Sequence, residues 1–442
     1  MALKIPYSYV PFLSLLLIHI LLFQTLLNNH LAVADDSTKA KDYTPPPAKT
    51  PSPPDDDEAP PPPSDKFESK RIEMVYPVIQ RLKKKIKYDP KGIIKTWNGA
   101  DICGKYKGFK CAKHPVYKVD AVSGVQFNGF NFDGDDLGLD GFLDEMPDVS
   151  IFHVNSNNFT DGIPKKISTL KYLYELDLSN NKFGGKFPYE VIKATNLTFL
   201  DLRYNGYSGV VPPEVFTLDL DVLFINNNKF RQTLPETLFT LPALYITLAN
   251  NKLTGPIPSK TGKASKTLAE ILFLNNQLSG CLPSEIGLLK KLMVFDVNRN
   301  LLRGEIPYSF GCLTRMEILN FGKNQFYGAV PDSICSLPSL KNFTVSFNYF
   351  TEVGPACMEL IKKGYLDVKK NCILGLPNQR SKEKCDAFAR KPKSCPNPQN
   401  YPLDWMPCRE ISSSMDRRKT RELEAKPAAL PFSYKSLHPH GR

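Results

Sequence analysis

The chain has 442 residues, ten cysteines and a formal net charge of +12. Ten cysteines are hard to reconcile with a reducing compartment, whereas paired cysteines are expected in a secreted chain. The basic balance favours polyanionic partners, but outside the cell it does not indicate nucleic acid, so we expect no nucleic-acid partner.

The N-terminal residues have the pattern of a signal peptide. Lys4 precedes an apolar run at 11–27, and small residues that suit cleavage follow at Ala32 and Ala34. We therefore expect a signal peptide at 1–34 and a secreted mature chain. The alternative is an uncleaved membrane anchor, since the apolar run is almost long enough to span a bilayer.

Two segments precede the main part of the chain. Residues 35–66 are rich in proline and include four consecutive acidic residues at 55–58. Such a stretch cannot bury a core, so we expect an extended or disordered linker. Residues 67–118 carry Trp97, Cys103 and Cys111 and are predicted to form an N-terminal cap.

Residues 119–353 contain an internal repeat with steps of 23 to 25 residues. Within each repeat, positions one, four and six are apolar and position nine is asparagine. A divergent coil at about 122–130 precedes the regular copies, which gives nine to ten repeats. The regular copies begin at Val149, Leu173, Leu197, Leu220, Ala243, Leu268, Leu292, Met316 and Leu340, and their ninth residues are Asn157, Asn181, Asn205, Asn228, Asn251, Asn276, Asn300, Asn324 and Asn348.

The repeat predicts a leucine-rich-repeat solenoid of the α/β class. No single coil can bury its apolar residues alone, so successive coils must stack. The asparagine side chain donates and accepts hydrogen bonds, and it can satisfy backbone groups that turn away from the strand. We expect a parallel β-sheet on the concave face, short 3-10 or helical and extended segments on the convex side, and disulfide-stabilised caps.

The chain after the repeats is predicted to form a cysteine-containing cap at 354–408 and a basic disordered tail at 409–442. Neither segment has an apolar stretch that could cross a membrane. The cysteines around the end of the repeats favour the local pairs Cys335 with Cys357 and Cys372 with Cys385. Spacing does not assign Cys281, Cys312, Cys395 and Cys408, and one of them is a candidate for linking two chains in a homodimer.

Function is expected on the concave face, at positions three, five, seven and eight of each repeat. Apolar and aromatic residues there are expected to form an exposed patch. Acidic residues, namely Asp177, Asp201, Glu175 and Glu270, are expected to rim it and to steer a cationic ligand. The predicted ligand-binding residues are Glu175, Asp177, Phe199, Asp201, Tyr204, Val222, Phe224, Tyr245, Leu272 and Leu274. The alternative is strand propensity alone, because strands favour aromatic and β-branched residues in any case.

Three Asn-x-Thr sequons, at Asn158, Asn196 and Asn342, are candidate glycosylation sites. A glycan on Asn342 would obstruct the concave face. No phosphate-binding loop, kinase signature, zinc-protease motif or nucleophile motif is present. The sequence therefore predicts a binding protein without catalysis, metal or cofactor, in which His153 is a contact residue and not a base.

From about Trp97 to Cys395 the chain resembles the repeat domain of plant leucine-rich repeat extensin proteins. The most specific stretches are Gly280-Cys281-Leu282-Pro283, Val294-Phe295-Asp296-Val297, Asn342-Phe343-Thr344, Asn348-Tyr349-Phe350, Asn371-Cys372-Ile373 and Pro377-Asn378-Gln379-Arg380-Ser381. The resemblance implies a cell-wall protein that binds basic cysteine-rich peptides of the rapid alkalinization factor type and helps regulate wall growth. The cap of plant extracellular repeats, which this chain resembles, also implies a Cys103–Cys111 disulfide.

The resemblance has a limit, because residues 396–442 contain none of the Ser-Pro-Pro-Pro-Pro arrays of extensins. The chain looks like an extensin-free relative, apoplastic and either wall-bound or soluble. Two other functions stay open at this point. One is inhibition of polygalacturonases, whose plant inhibitors are similar solenoids, and the other is structural binding of pectin through basic charge.

Overall fold

The structure is a computed structural model of the protein, which describes residues 66–391 and Cys395. The predicted signal peptide at 1–34, most of the linker at 35–66, the tail at 409–442 and Cys408 lie outside the described residues. Among the described residues, no helix combines the length and the apolar character needed to cross a bilayer.

A sheet of twelve strands runs through the described part of the chain. The first two strands pair antiparallel, and every later pair is parallel with one strand from each coil; Leu176, for example, lies opposite Leu200. The strands are Phe109–Lys113, Asp120–Gln126, Ile151–His153, Glu175–Asp177, Phe199–Asp201, Val222–Phe224, Tyr245–Thr247, Glu270–Leu272, Val294–Asp296, Ile318–Asn320, Asn342–Thr344 and Leu366–Asp367. This arrangement confirms the predicted solenoid.

The other side of each coil is built from short strands and helices. One sheet has the strands Thr254–Gly255, Gln277–Cys281, Leu301–Gly304, Gln325–Val330 and Tyr349–Val353, and another has Gly184–Lys186, Gly206–Gly209 and Lys229–Phe230. The 3-10 helices are Ile94–Thr96, Leu143–Glu145, Lys165–Thr169, Tyr189–Lys193, Pro213–Thr217, Leu238–Thr240, Ser284–Leu288 and Tyr308–Cys312. The α-helices are Lys70–Lys85, Ile102–Lys105, Ala264–Thr267, Asp332–Cys335, Pro355–Lys362 and Lys382–Ala389.

One apolar core runs through all the coils. In the coil that begins at Leu173, the side chains of Leu173, Leu176 and Leu178 are fully buried. Equivalent residues of the other coils join them in a single cluster that extends from Ile72 to Ile373. The core is therefore shared between neighbours, as expected when a single coil cannot bury its own apolar side.

The ninth-position asparagines form a continuous hydrogen-bonded ladder inside the coils. The Asn181 Nδ2 atom donates to the carbonyl oxygens of Val154, Leu178 and Ser179 at 2.9 to 3.2 Å. Its Oδ1 atom accepts from the amide of Phe159 at 3.0 Å. Each asparagine thus links its own coil to the preceding one and satisfies backbone groups that would otherwise be buried without partners.

The ladder continues beyond the predicted end of the repeats at 353. Asn371 donates to the carbonyl oxygens of Val345 and Val368 and accepts from the amide of Phe350. Leu366 supplies the strand of this coil, which pairs with the preceding strand at Phe343. The segment that was assigned to the C-terminal cap therefore contains one more stacked coil.

A buried cluster of ionic groups attaches the N-terminal cap to the coils. Arg71, in the first helix, donates from both Nε and Nη2 to the carboxylate of Asp148. The Nε2 atom of His114 lies 3.4 Å from the same carboxylate. The Asp148 side chain is almost completely buried, so these partners compensate for its desolvation.

Disulfides close both ends of the described chain. They join Cys103 to Cys111, Cys335 to Cys357 and Cys372 to Cys385, the three pairs that were expected, and a further disulfide joins Cys281 to Cys395. Cys312 is also disulfide-bonded. Cys281 and Cys395 are therefore not available to link two chains.

A column of stacked rings fills the side of the core behind the ladder. Phe159, Phe183, Tyr207 and Phe230 follow one another at centroid spacings of 6.3 to 6.4 Å with nearly parallel planes. The hydroxyl of Tyr207 is buried in this column without a hydrogen-bond partner. An unpaired buried hydroxyl destabilises the folded state.

We expect Tyr207→Phe to raise the free energy of unfolding by about 1 kcal/mol, because the ring stays and the unpaired hydroxyl is removed. Tyr106→Phe is the matched control: its buried hydroxyl donates to Gly99 and accepts from Gln80, so that variant should lose stability. Urea unfolding followed by circular dichroism measures both. A loss of stability in Tyr207→Phe would mean that the hydroxyl does have a favourable partner.

Candidate functional site

The inner face is defined here as the side of the twelve-stranded sheet that is opposite the core. Position four of each repeat, such as Leu200, points into the core. Positions three and five, such as Phe199 and Asp201, lie on the inner face. The ten predicted ligand-binding residues occupy consecutive coils from Glu175 to Leu274. The sheet pairing brings Glu175, Phe199, Val222 and Tyr245 into one row.

The exposure of these residues differs from the expected patch. Seven of them are half-buried, namely Glu175, Phe199, Tyr204, Val222, Phe224, Tyr245 and Leu274. The other three are buried, with relative exposures of 5% for Asp177 and 0% for Asp201 and Leu272. The prediction of an exposed patch with an acidic rim was therefore wrong for these three residues, because the two aspartates bend back onto their own turns and Leu272 joins a buried apolar cluster. The rim prediction was also wrong for Glu270, which is 3% exposed.

The aspartates have a local structural role that explains their burial. Asp177 Oδ1 accepts from the backbone amide of Ser179 at 2.9 Å, and Asp201 Oδ1 accepts from that of Arg203 at 3.0 Å. Asp296 makes the same bond to Asn298. A carboxylate that bonds the amide two residues further on stabilises a turn, so position five fixes the path of the chain as it leaves the strand.

Aromatic side chains connect the N-terminal coils of the inner face. The rings of Phe199 and Phe224 meet edge to face at 6.3 Å, and the ring of His153 lies 6.0 Å from Phe199. The Arg203 guanidinium lies 5.1 Å from the centre of the Phe224 ring. Sequence reasoning missed Arg203, although its position-seven place in the repeat was a signal for it.

The charges of this region are partly compensated within the protein. Arg203 Nε lies 2.9 Å from Asp201 Oδ2, and His153 Nε2 lies 3.0 Å from Glu175 Oε2, although neither contact has hydrogen-bond geometry. Burial raises the pKa of Asp201 to about 8, against the opposing effect of Arg203. Asp201 is thus a weak source of steering charge, whereas Glu175 keeps partial contact with solvent.

A second apolar cluster lies further along the inner face. Ala249, Leu272 and Val294 are buried together, apart from the main core. Leu274, Met293 and Ile318 pack against them and are partly exposed. Of these residues only Leu272 and Leu274 were predicted, because the expected patch stopped two strands before Ile318, the last residue of the cluster.

The described residues contain one group that resembles a metal site by composition, formed by Asp332, Cys335 and Cys357. The two cysteines are joined in a disulfide, so they offer no thiolate. Asp332 accepts from the amides of Ala356 and Cys357 at the start of the next helix. The contacts of this group are those of a helix cap.

The three sequons differ in accessibility. Asn196 and Asn342 are exposed, whereas Asn158 is half-buried and its Nδ2 atom donates to Asp133. Asn342 begins a strand of the inner face, so a glycan there would stand beside the candidate site. The Nδ2 atom of Asn196 donates to the carbonyl oxygen of Lys171 at 2.7 Å.

A cavity of about 1130 Å³ lies under the C-terminal helix, away from the inner face. Phe388 stacks on Tyr349 at 3.6 Å, and Arg380 covers Tyr349 with its guanidinium 4.3 Å from the ring centre. Leu374 stands at its edge with 94% exposure. The aromatic faces in this cavity are thus already used by contacts within the cap.

The comparisons with known proteins agree with this architecture. A family model described as Leucine Rich Repeat matches residues 172–193. Leucine-rich repeat extensin-like protein 7 of Arabidopsis thaliana is 40% identical over 335 residues, which cover 74% of this chain and 75% of that protein. Leucine-rich repeat extensin-like protein 1 of the same plant is 46% identical over 335 residues, which cover 75% of this chain and 44% of the relative. The chain therefore spans less than half the length of that relative.

Solved structures of plant repeat proteins share the fold. The ectodomain of the Arabidopsis thaliana receptor kinase GASSHO1/SCHENGEN3, solved with CASPARIAN STRIP INTEGRITY FACTOR 2, has a TM-score of 0.56 and 19% identity, covering 68% of this chain and 41% of the receptor chain. A plant ice-binding protein has a TM-score of 0.56 and 22% identity, covering 70% of this chain and 97% of its own. At these identities the likeness concerns the fold alone.

Proposed function

Because this chain belongs to the plant leucine-rich repeat extensin-like family, we propose that it is a secreted cell-wall protein that binds a basic cysteine-rich peptide of the rapid alkalinization factor type. The inner face is the proposed binding surface, and the proposed role is in wall formation or growth. We propose binding without catalysis, since the inner-face aspartates bond to their own turns.

The observation that carries this proposal is the row of half-buried side chains on the inner face. Phe199, Val222 and Tyr245 lie side by side on consecutive strands, and Phe224 packs against Phe199. Aromatic side chains that are partly exposed and held rigidly are typical anchors of protein interfaces. The rigid sheet holds them in place before a ligand arrives, which reduces the entropy cost of binding.

The charges beside this row suit a basic ligand. Glu175 is half-buried at its N-terminal end and faces His153, and an acidic residue at the edge of an aromatic patch favours cationic side chains. Arg203 is a cation beside the row, and it lies against Asp201 and Phe224. The proposed ligand therefore presents its lysines or arginines near Glu175 and its apolar residues near Phe224.

We expect Phe224→Ala to weaken peptide binding at least tenfold, which is about 1.4 kcal/mol, because the variant removes the ring that packs against Phe199 beside the row. Tyr189→Ala is the matched control, since Tyr189 is an exposed aromatic residue on a 3-10 helix outside the sheet. Calorimetric titration with a synthetic rapid-alkalinization-factor-type peptide measures the dissociation constants. Equal binding by wild type and Phe224→Ala, or weaker binding by Tyr189→Ala alone, would contradict the assignment.

The same preparation separates this proposal from the other two functions. Pectin oligosaccharides titrated in place of the peptide test structural wall binding, and a fungal pectinase assay tests enzyme inhibition. We expect tight binding of the peptide and no loss of pectinase activity. If the peptide failed to bind while pectinase activity fell, the protein would be an inhibitor and the peptide proposal would be wrong.

A further inference from the structure

Glu270 is an unusual residue on the inner face. It begins the strand Glu270–Leu272 and lies between Tyr245 and Val294 on the neighbouring strands. The next residue, Ile271, points into the core, so the Glu270 side chain lies on the opposite side of the sheet. Only 3% of its surface is exposed, and its Oε2 atom has no hydrogen-bond partner. A buried carboxyl oxygen without a partner destabilises the folded protein.

A second unpartnered group lies on the adjacent strand. Thr247 is fully buried, and its Oγ1 atom has no hydrogen-bond partner. Thr247 pairs with Leu272, which follows Glu270 by two residues on the adjacent strand. Thr247 is therefore a diagonal neighbour of Glu270. Two polar groups with an unpartnered buried atom therefore occur on adjacent strands of one side of the sheet. Neighbouring coils place apolar residues such as Val222 and Val294 there.

Apolar side chains lie beside these two groups, together with the buried carboxyl of Asp296 on one adjoining strand. Leu272, Val294 and Ala249 form the buried apolar cluster of the inner face, and Leu274 packs against it from a half-buried position. The repeat does not require an acid at this place, because position three is Phe199, Val222, Tyr245 or Val294 in nearby coils. Polar groups that the fold does not need and does not satisfy indicate a functional role.

We propose that Glu270 and Thr247 form a subsite for one lysine side chain of the bound peptide. The inference rests on the proposed function and adds the chemistry of one anchor. The methylene stem of a lysine packs on Leu272 and Val294, while its ammonium group donates to the Glu270 carboxylate and the Thr247 hydroxyl. A compact ammonium with three donors fits this place better than a planar guanidinium.

The subsite is buried in the unbound protein, and the ligand reaches it by displacing the half-buried side chain of Leu274, which packs against the apolar cluster. Burial, with a smaller contribution from Asp296, raises the pKa of Glu270 to about 8. The carboxyl is therefore mostly protonated at neutral pH, and Tyr245 and Asp296 are the titratable groups on the two adjoining strands. When the ammonium enters, the carboxyl proton passes to solvent and a carboxylate–ammonium pair forms.

The substitution Glu270→Gln tests the subsite, because glutamine keeps the shape but cannot become anionic. Titrations use the synthetic rapid-alkalinization-factor-type peptide and the same peptide with acetylated lysines. We expect Glu270→Gln to weaken binding about tenfold, to reduce the further loss caused by acetylation, and to abolish the proton release that calorimetry in two buffers detects for wild type. Glu214→Gln, on the exposed helix Pro213–Thr217, is the matched control and should behave as wild type.

The melting temperature separates a binding defect from misfolding. Glu270→Gln should melt no lower than wild type, because the substitution removes a buried acid. Wild-type affinity and wild-type proton release in the folded Glu270→Gln protein would overturn the lysine subsite while leaving the proposed function intact.

A further experiment tests the subsite without the peptide. Nα-acetyl-lysine methylamide is titrated into wild type at millimolar concentration, and the methyl resonances of Leu272 and Val294 are followed by NMR. We expect both resonances to shift in wild type and neither to shift in Glu270→Gln. If the peptide does not bind but these shifts occur, the proposed peptide class is wrong and the subsite stands; if no shift occurs in wild type, the subsite is wrong.

Discussion

Replacement of Asn348 by alanine should lower the free energy of unfolding by about 4 kcal/mol or more, since unpaired buried polar groups cost about 1–3 kcal/mol each. The Asn348 side chain has no exposed surface, donates to the carbonyls of Phe321, Val345 and Ser346, and accepts from the amide of Phe326. Alanine leaves all four groups without this partner inside the coil. Urea unfolding followed by circular dichroism measures the change.

The control for this variant is an asparagine outside the ladder. Asn275 is exposed, and its backbone has a positive φ that glycine tolerates. In the described structure its side chain donates one hydrogen bond, to Asn250. We expect Asn275→Gly to change stability far less than Asn348→Ala. Similar losses in both variants would show that the ladder does not carry the stability assigned to it.

Asp148→Ala should destabilise the protein by about 3–5 kcal/mol, the usual cost of removing one partner from a buried ion pair. The variant leaves the Arg71 guanidinium, whose side chain is 21% exposed, without its carboxylate, and it also removes the neighbour of His114. The helix Lys70–Lys85 keeps its apolar contacts with the core but loses this ionic attachment to the coils. Hydrogen exchange of the Lys70–Lys85 amides, together with urea unfolding, measures the loss.

Two further variants test the reason for this effect. Asp386→Ala removes a carboxylate from an exposed pair with Lys382 and should leave stability close to wild type. The double variant Arg71→Met and Asp148→Leu replaces both charges and should recover part of the lost stability. If the double variant were less stable than Asp148→Ala, packing and not the unpaired charge would be the cause.

The fold was predictable because every coil has the same requirement, an asparagine that pairs with buried backbone groups. Asn181 and its equivalents recur at a fixed place, and the physical need that they meet, the pairing of buried backbone groups, is the same in each coil. The sheet register followed from the same repeat, and Phe199 lies opposite Glu175 as the repeat predicts. Periodic sequences carry this information redundantly, so a single divergent coil does not obscure it.

The burial of the candidate site was not predictable to the same degree. Position five identified Asp201 as an inner-face residue, but the frame carries no information on whether a carboxylate faces solvent or folds back onto its own turn. Asp201 is turned back because its carboxylate accepts a hydrogen bond from the Arg203 amide. The sequence did carry a signal, since Asp177, Asp201 and Asp296 all occupy position five directly before the same turn.

The C-terminal end was the least predictable part of the fold. The coil that contains Asn371 lacks an apolar residue at position one, where Lys363 stands, so its sequence resembles a cap more than a repeat. The Cys281–Cys395 disulfide joins residues that are 114 apart in sequence. Such a pairing depends on where the cap packs, and spacing alone does not contain that information.

Hydroxyl-radical footprinting with and without the peptide tests most directly whether the inner face is the binding surface. The account predicts that Phe199, Phe224 and Tyr245 become protected from oxidation when the synthetic rapid-alkalinization-factor-type peptide binds, while the exposed rings of Tyr189 and Tyr308 react as before. Protection of Tyr189 and Tyr308 with no change at the three inner-face residues would contradict it.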